Sequence, residues 1–230
     1  MHAEWTQLLT SGNPPRWTAV AGAAVALVVV LNNRLWPVAR HVITIAHEGG
    51  HALAAVGSGR RLGGIRLHSD TSGVTVSAGR PTGLGVVITV AAGYITPSLL
   101  GLGGAALLAV NQVSLMLRVS VVLLLGVLVA IRNAFGALSI VLSTATVIAV
   151  SVLAPYRWQE VFAAFITWFL LLGGLRPIVE VQRTRSRGRA PTSDPDQLAR
   201  LTATPASMWV AFFAMVSLLC LTVAGDWLVR

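Results

Sequence analysis

Seven apolar stretches divide this chain, and each approaches the length of about 20 residues that a helix needs to cross a membrane. They cover roughly residues 17–33, 37–57, 83–108, 114–131, 134–154, 157–175 and 207–228. Lipid offers no water to satisfy backbone polar groups, so apolar stretches of this length fold there as helices. The sequence therefore predicts an all-α membrane protein, a polytopic bundle of about seven transmembrane helices.

The composition agrees with a position in lipid. Of the 230 residues, 55% are apolar and only 11% are charged, whereas a soluble domain carries about 25% charged residues. We therefore expect a multi-pass integral protein, of a bacterial plasma membrane, with the lipid bilayer as its constant partner. The single cysteine, Cys220, lies in an apolar run and has no second cysteine with which to form an intrachain disulfide.

The chain has no lysine, and its arginines give it a net charge of +9. In a soluble protein that excess would suggest nucleic acid. Between apolar stretches it indicates loops that face anionic lipid, so we expect no nucleic-acid partner. If the N-terminus is inside the cell, seven crossings place twelve arginines, Arg16 among them, on the cytoplasmic side. The other side then holds five, which are Arg34, Arg40, Arg118, Arg157 and Arg230.

Two segments of the predicted single domain, residues 1–230, lie outside the membrane. In residues 59–80, short alternating runs flank the turn signal Asp70-Thr-Ser-Gly73, which predicts a small β-hairpin. Residues 176–205 form a basic cytoplasmic loop before the last helix, and a short helix is predicted to begin at Ser193-Asp194. Nothing in the sequence indicates an oligomeric state.

The second apolar stretch contains His47-Glu-Gly-Gly-His51, which fits the pattern H-E-x-x-H. Residues i and i+4 of a helix share one face, so His47 and His51 could bind one cation. Zn²⁺ suits imidazole nitrogen and keeps one position open for water or substrate. Glu48 could then act as the general base toward a metal-bound water. The alternative is that these side chains only form interhelical hydrogen bonds, but ionisable groups at membrane depth are costly and usually functional. Gly49 and Gly50 either leave space for a substrate backbone or allow close helix packing.

The chain resembles the M50B-like branch of the site-2-protease-type intramembrane zinc metallopeptidases. The resemblance rests on HEGGHALA at 47–54, the segment from Gly63-Gly64 to Gly79-Arg-Pro81, the helix AAGYITPSLLG at 91–101, Arg132-Asn133, and Ser193-Asp194 before a short helix. It implies a zinc-dependent peptidase that cuts membrane-embedded or membrane-proximal proteins, with a hydrophilic pocket open toward the cytoplasm.

The third metal ligand is the point where the sequence departs from the better-studied site-2 proteases. Those proteins supply an aspartate from an Asn-Pro…Leu-Asp-Gly segment, which this chain lacks, and no aspartate lies between residues 83 and 175. Asp194 is the favoured ligand, because its place resembles the branch's pattern; helix capping is the alternative reading. Other candidates by chemistry are Glu180, Asp196, His41 and His68.

The hairpin has two interpretations. Its edge could hold an unwound substrate segment by β-augmentation, or it could simply connect two helices. Arg132-Asn133 could likewise orient a substrate carbonyl or anchor a helix end.

The sequence thus favours an intramembrane zinc peptidase in which His47, His51 and Asp194 bind zinc and Glu48 activates the water. One alternative is a metal or proton transporter that uses the same residues. Another is a catalytically inactive membrane scaffold that binds partners through its helices.

Overall fold

The computed structural model describes residues 16–188, 190 and 192–230, so residues 1–15, 189 and 191 of the predicted domain 1–230 lie outside the described part. In chain order the elements are α1 (Arg16–Leu31), α2 (Trp36–Gly57), β1 (Arg61–Leu67), β2 (Gly73–Ala78), α3 (Leu84–Ala109), α4 (Val113–Ala130), α5 (Ala134–Leu153), α6 (Tyr156–Arg185), α7 (Asp194–Thr202) and α8 (Ala206–Val229). The prediction of a mainly helical protein with one small antiparallel sheet is confirmed.

The predicted count of about seven membrane spans is not confirmed. Among the described residues, five helices are long and apolar enough to cross a membrane, namely α3, α4, α5, α6 and α8. The helices α1 and α2 pass that test only together, and they meet at an angle of 105°. Such a bent pair is either one broken span or a re-entrant loop, so the described residues offer five spans, or up to six if the pair is one span. The hydropathy of the sequence identifies both segments as apolar, but it does not determine the angle between the two helices.

Helix α1 runs in the same direction as α6. A Cβ on Gly22 would lie 2.8 Å from the Cβ of Ala164, and the Arg176 guanidinium donates a hydrogen bond to the Val30 carbonyl. After the turn at residues 32–35, Trp36 Nε1 donates to Glu180 Oε1 at 3.0 Å and thereby fastens the start of α2 to α6. The chain does not return along α1 but crosses the bundle as α2.

This course of α1 and α2 corrects the predicted distribution of arginines. Arg16 Nη2 donates to the Arg230 carbonyl at 2.9 Å, so both lie at one end, whereas Arg40 pairs with Glu180 at the other. We call the end at which α6 leads into α7 the arginine-rich end. Twelve of the described arginines lie there, and the opposite end has four, which are Arg16, Arg118, Arg157 and Arg230.

The predicted basic loop 176–205 is largely helical. Helix α6 continues to Arg185, and α7 occupies Asp194–Thr202, as the sequence predicted for its start at Ser193-Asp194. Polar contacts explain the extension of α6: Glu180 accepts hydrogen bonds from Trp36 and, at 3.0 Å, from Arg176 Nε. These residues therefore continue the helix past the apolar run that hydropathy detects.

The hairpin is attached to the bundle on one side. Strand β1 pairs with β2, and on its other side Ile65 pairs with Ile131 in the α4–α5 connection. Asn133 Nδ2 donates to the Leu67 carbonyl at 2.7 Å, and the Leu67 amide donates back to Asn133 Oδ1 at 3.2 Å. The Asn133 amide is thus engaged in anchoring the hairpin, which supports the structural interpretation of this residue. The side chains of Ile65 and Leu67 are buried against α2 and α4.

Candidate metal centre

Helix α2 brings His47 and His51 together because they are four residues apart on one face. Their Nε2 atoms lie 3.0 Å apart, and the two ring planes are nearly perpendicular. His51 is only 9% exposed. The helix therefore presents two imidazole nitrogens at one point inside the protein.

A backbone group on α3 sets the orientation of His51. Its Nδ1 donates to the Thr89 carbonyl at 2.8 Å, which turns Nε2 toward His47. An N–H bond of this kind is the usual outer-shell support of a metal-binding histidine, because it fixes the ring and raises the basicity of the other nitrogen.

The space for both rings exists because residue 93 is a glycine. A Cβ at Gly93 would lie 2.5 Å from Nε2 and Cε1 of His51 and 2.7 Å from Cε1 of His47. The next residue, Tyr94, packs edge-on against His47 with ring centroids 4.8 Å apart, and it stacks on Phe213 of α8. Helix α3 thus forms the wall of the cluster.

Asp194 reaches the histidines from the first residue of α7. Its Oδ2 lies 3.2 Å from His47 Nε2 and 3.3 Å from His51 Nε2. Burial raises the pKa of the Asp194 carboxyl, but hydrogen bonding with the two imidazoles outweighs that effect and holds the pKa below its usual range. The third donor is therefore an ionised carboxylate.

Two contacts hold α7 in the position that this carboxylate requires. Arg185, the last residue of α6, donates from Nε and Nη2 to the two carboxylate oxygens of Asp196, at 2.7 and 3.0 Å. On the inner face of α7, Leu198 is fully buried among residues of α3, α6 and α8. An ion pair and an apolar anchor thus place the helix that carries Asp194.

Glu48 points to the hairpin beside the cluster. Thr75 Oγ1 of β2 donates to Glu48 Oε2 at 2.6 Å, and a Cβ on Gly73 would lie 2.6 Å from Glu48 Oε1. Glu48 as a whole is only 4% exposed, and its carboxylate lies against the backbone of β2. The neighbouring Gly50 packs closely on Thr96 of α3, which supports the helix-packing interpretation of that glycine.

The other candidate ligands lie in different environments. Glu180 pairs with Arg176 and Arg40, and Asp196 pairs with Arg185. His41 Nδ1 donates to the Val38 carbonyl, while His68 contacts Ser72 on the hairpin. None of these four belongs to the cluster within the part of the chain that the structure describes.

The cluster has the composition of a metal site. One ligand atom each from His47, His51 and Asp194 lies within 4.8 Å of the other two, so the three could hold a metal ion. A family model described as Peptidase M50B-like matches residues 20–224, which include all three. The chain belongs to the M50B-like peptidase family. Comparison with curated proteins and with solved structures gave no match.

Membership of the M50B-like family supports a membrane metallopeptidase, and the metal cluster and the membrane-span helices agree with it. Sequence reasoning did not identify Thr75, Thr89 or Gly93 as parts of this site. Only the glycine left a signal, because Gly93 stands in the small-residue stretch of the third apolar run; the two threonines are not distinguishable from ordinary strand and helix residues.

Proposed function

We propose that this M50B-like protein is an intramembrane zinc-dependent peptidase that hydrolyses peptide bonds of membrane or membrane-proximal proteins. The observation that carries the proposal is the convergence of His47, His51 and Asp194 on one point, with Glu48 next in sequence to the first ligand. Two neutral nitrogens and one carboxylate, with a further position open, are the ligand set of catalytic zinc sites.

The distances between the three donor atoms support Zn²⁺. In a tetrahedral site with zinc–ligand bonds of about 2.0–2.2 Å, neighbouring ligand atoms are about 3.3–3.6 Å apart, so binding would separate the present donors by only a few tenths of an ångström. The corresponding distances in this site are 3.0, 3.2 and 3.3 Å. When bound, zinc would act as a Lewis acid toward a peptide carbonyl and increase the acidity of a water molecule.

Glu48 is the general base in this proposal. Its carboxylate takes a proton from the attacking water, whose oxygen adds to the peptide carbonyl carbon. The proton then passes to the amide nitrogen as the C–N bond breaks, which leaves a carboxylic acid and an amine; the acid's remaining proton then moves to the amine, so the products are a carboxylate and an ammonium group. Thr75 donates to one Glu48 oxygen and so orients the other carboxylate oxygen for this transfer.

The arginine-rich end supports a cytoplasmic position for the site. Twelve arginines against four is the bias that the positive-inside rule associates with the cytoplasmic side. Asp194 follows α6 at that end, so the proposed pocket opens toward the cytoplasm, and Arg16 lies on the far side.

The exposed edge of β2 is the proposed place for an unwound substrate segment. The outer side of β1 is occupied by Ile131 and Asn133, whereas β2 carries Thr75 and Gly73 next to Glu48. A substrate strand paired with β2 would lie near the base that acts on it.

Replacement of Glu48 by Gln tests the proposal. We expect the purified variant to keep about one zinc per chain, because Glu48 is not a ligand, while cleavage falls by about 10²–10⁴-fold for want of the base. The assay is mass spectrometry of fragments after co-reconstitution with a panel of single-span membrane proteins, including those that the Glu48→Gln variant retains on purification. Asp226→Asn, at an exposed acid of the opposite end, is the control that should cleave normally.

The same experiment separates the alternatives. Cleavage by Glu48→Gln at the wild-type rate would show that Glu48 is not the base. Zinc bound without any cleavage product in the panel, but with zinc or proton flux into the vesicles, would favour a transporter. Wild-type protein with well below one zinc per chain would contradict both metal functions and leave the membrane scaffold.

A further inference from the structure

A cavity lies at the opposite end of the bundle from the metal centre, near the N-terminal end of α6. Its volume of about 340 Å³ is at the lower end of the range for small-molecule pockets, about 300–1,000 Å³. The apolar part of its wall includes Leu108, Val113 and Trp227, and the polar part includes Glu160. On α3, Gly93 lies against both histidine rings of the metal centre and Leu108 lies in the cavity wall, so a rise of about 1.5 Å per residue separates the two sites by roughly 20 Å.

Glu160 lines this cavity without a hydrogen-bond partner among the residues that the structure describes. Its residue exposure is 8%, and no described residue forms a hydrogen bond or an ion pair with its carboxylate. Arg157, one turn earlier on α6, acts on it only as a nearby charge. The carboxylate oxygens are not among the buried side-chain atoms that lack a partner, so they are accessible from the cavity. A carboxylate in a cavity wall can accept hydrogen bonds from an occupant that brings a positive charge and N–H donors.

The rim of the cavity has the opposite charge. Arg16 and Arg230 line it, both side chains are exposed, and Arg16 Nη2 also donates to the Arg230 carbonyl. An occupant whose positive group lies at Glu160 would extend to the rim, where the guanidinium groups are. The part of the occupant at the rim should therefore be an anion. Arginine is well suited to bind phosphate.

The location indicates that the occupant comes from the membrane. The cavity lies where α3, α4, α6 and α8 begin or end, and Trp227 beside it is 42% exposed, as is typical of a tryptophan at a lipid–water interface. The apolar part of the wall suits the start of an acyl chain. An amine, a phosphate and an acyl chain in that order describe an ethanolamine phospholipid.

We propose that this cavity binds the headgroup of a phosphoethanolamine lipid, with the ammonium donating to Glu160 and the phosphate near Arg16 and Arg230. A choline headgroup has no N–H to donate, and a glycerol headgroup has no positive charge. Neither can satisfy the Glu160 carboxylate, so the cavity should discriminate between lipids. The inference is independent of the proposed peptidase activity, since no residue of the metal centre takes part.

The wild-type chain alone can test this proposal. Native mass spectrometry of the detergent-purified full chain is performed with equal amounts of phosphatidylethanolamine, its N-methyl and N,N-dimethyl derivatives, phosphatidylcholine and phosphatidylglycerol, all with the same acyl chains. We expect retention to fall stepwise as N–H donors are removed, by about tenfold from ethanolamine to choline, as the loss of a hydrogen bond to a charged group implies. Equal retention across the series, or preference for phosphatidylglycerol, would overturn the proposal.

A matched pair of variants locates the preference. Glu160→Gln keeps the shape of the side chain but loses the charge, and it should bind ethanolamine and choline lipids equally while its zinc content stays at the wild-type level. Asp70→Asn removes an exposed acid on the hairpin, at the other end of the bundle, and should keep the preference. If Glu160→Gln keeps the ethanolamine preference, the site lies elsewhere and the proposal is wrong. Soluble phosphoethanolamine is added as a competitor, and displacement of the lipid at equal concentration would show that the acyl chain adds nothing and contradict a lipid as occupant.

Discussion

Gly93 has no side chain, and both imidazoles of the metal cluster lie in the space that a side chain at this position would fill. The same helix, α3, contains Gly103, beside which nothing lies within 4 Å of an added Cβ. The two glycines are therefore a matched pair, one that borders the site and one that faces open space. A methyl group at Gly93 must displace His51, because its carbon would be 2.5 Å from the ring nitrogen.

We predict that Gly93→Ala lowers zinc affinity by at least about tenfold, the effect of disturbing the supports of metal ligands. Gly103→Ala should leave zinc affinity unchanged and improve helix propensity slightly. Competition with a fluorescent zinc chelator measures both. Equal affinities in the two variants would mean that the imidazoles do not bind zinc as a pair.

Thr75 gives a second prediction for a single residue, because it reaches Glu48 from another element. Thr75→Val keeps the shape of the side chain and removes the donor to Glu48 Oε2. We expect zinc content to stay at wild type and the cleavage rate to fall about 10- to 100-fold, the effect of a lost hydrogen bond to a charged group. Thr75→Ser keeps the hydroxyl and should restore most of the rate. A Thr75→Val enzyme as fast as Thr75→Ser would show that this bond does not orient the base.

Helix α7 has nine residues, too few to be stable alone, so its position depends on contacts with its neighbours. Asp196, two residues after Asp194, pairs with Arg185 and so joins α7 to the end of α6. The hydrogen bonds from Arg185 hold the pKa of Asp196 below its usual value. A lowered pKa means that the pair contributes stability above the unfolded-state pKa of about 3.9, and that this contribution is lost as the pH falls below it.

We therefore predict that Asp196→Asn lowers zinc affinity about tenfold at pH 7, by loosening the position of Asp194. The pair Arg230–Asp226, exposed and far from the site, is the control, and Asp226→Asn should keep normal affinity. The same chelator competition applies. If Asp196→Asn binds zinc as the wild type does, Leu198 alone is enough to position α7.

Across the whole molecule, the course of α1 and α2 decides which side of the membrane each loop occupies. The chain has one cysteine, Cys220, which is buried in α8, so its replacement by alanine gives a background for labelling. Ser186, exposed after α6, lies at the arginine-rich end, and Gln112, exposed in the turn before α4, lies at the opposite end. These two positions report the orientation of the bundle.

We predict that in sealed cells a membrane-impermeant maleimide labels Gln112→Cys but labels Ser186→Cys only after permeabilisation. The expected difference follows from the proposed cytoplasmic position of the arginine-rich end. Gel shift after maleimide treatment gives the result, and the Cys220→Ala parent should stay unlabelled. The reverse pattern would place the metal centre on the other side of the membrane.

Much of this architecture could be predicted from the chain itself, for reasons that differ between its parts. The spacing of His47 and His51 determines their shared face, because the helical period is local. The turn at Asp70-Thr-Ser-Gly73 likewise predicts the hairpin. The angle between α1 and α2 could not be predicted, because it depends on contacts of Trp36 with Glu180 in a distant helix. Similarly, the choice among Asp194, Glu180 and Asp196 depends on which acids are paired with arginines, and both Glu180 and Asp196 are so paired.

The three members of the metal cluster come from two segments that are far apart in the chain, α2 and the start of α7. An ion that binds all three would cross-link those segments, and its binding energy would then also be energy of folding. Chelation should accordingly release α7 first, and the arginines at 183–187 should become quickly cleavable by trypsin while the rest of the bundle resists. In a cell short of zinc, this protein would be exposed to degradation at that connection, so its abundance as well as its activity would follow the zinc supply.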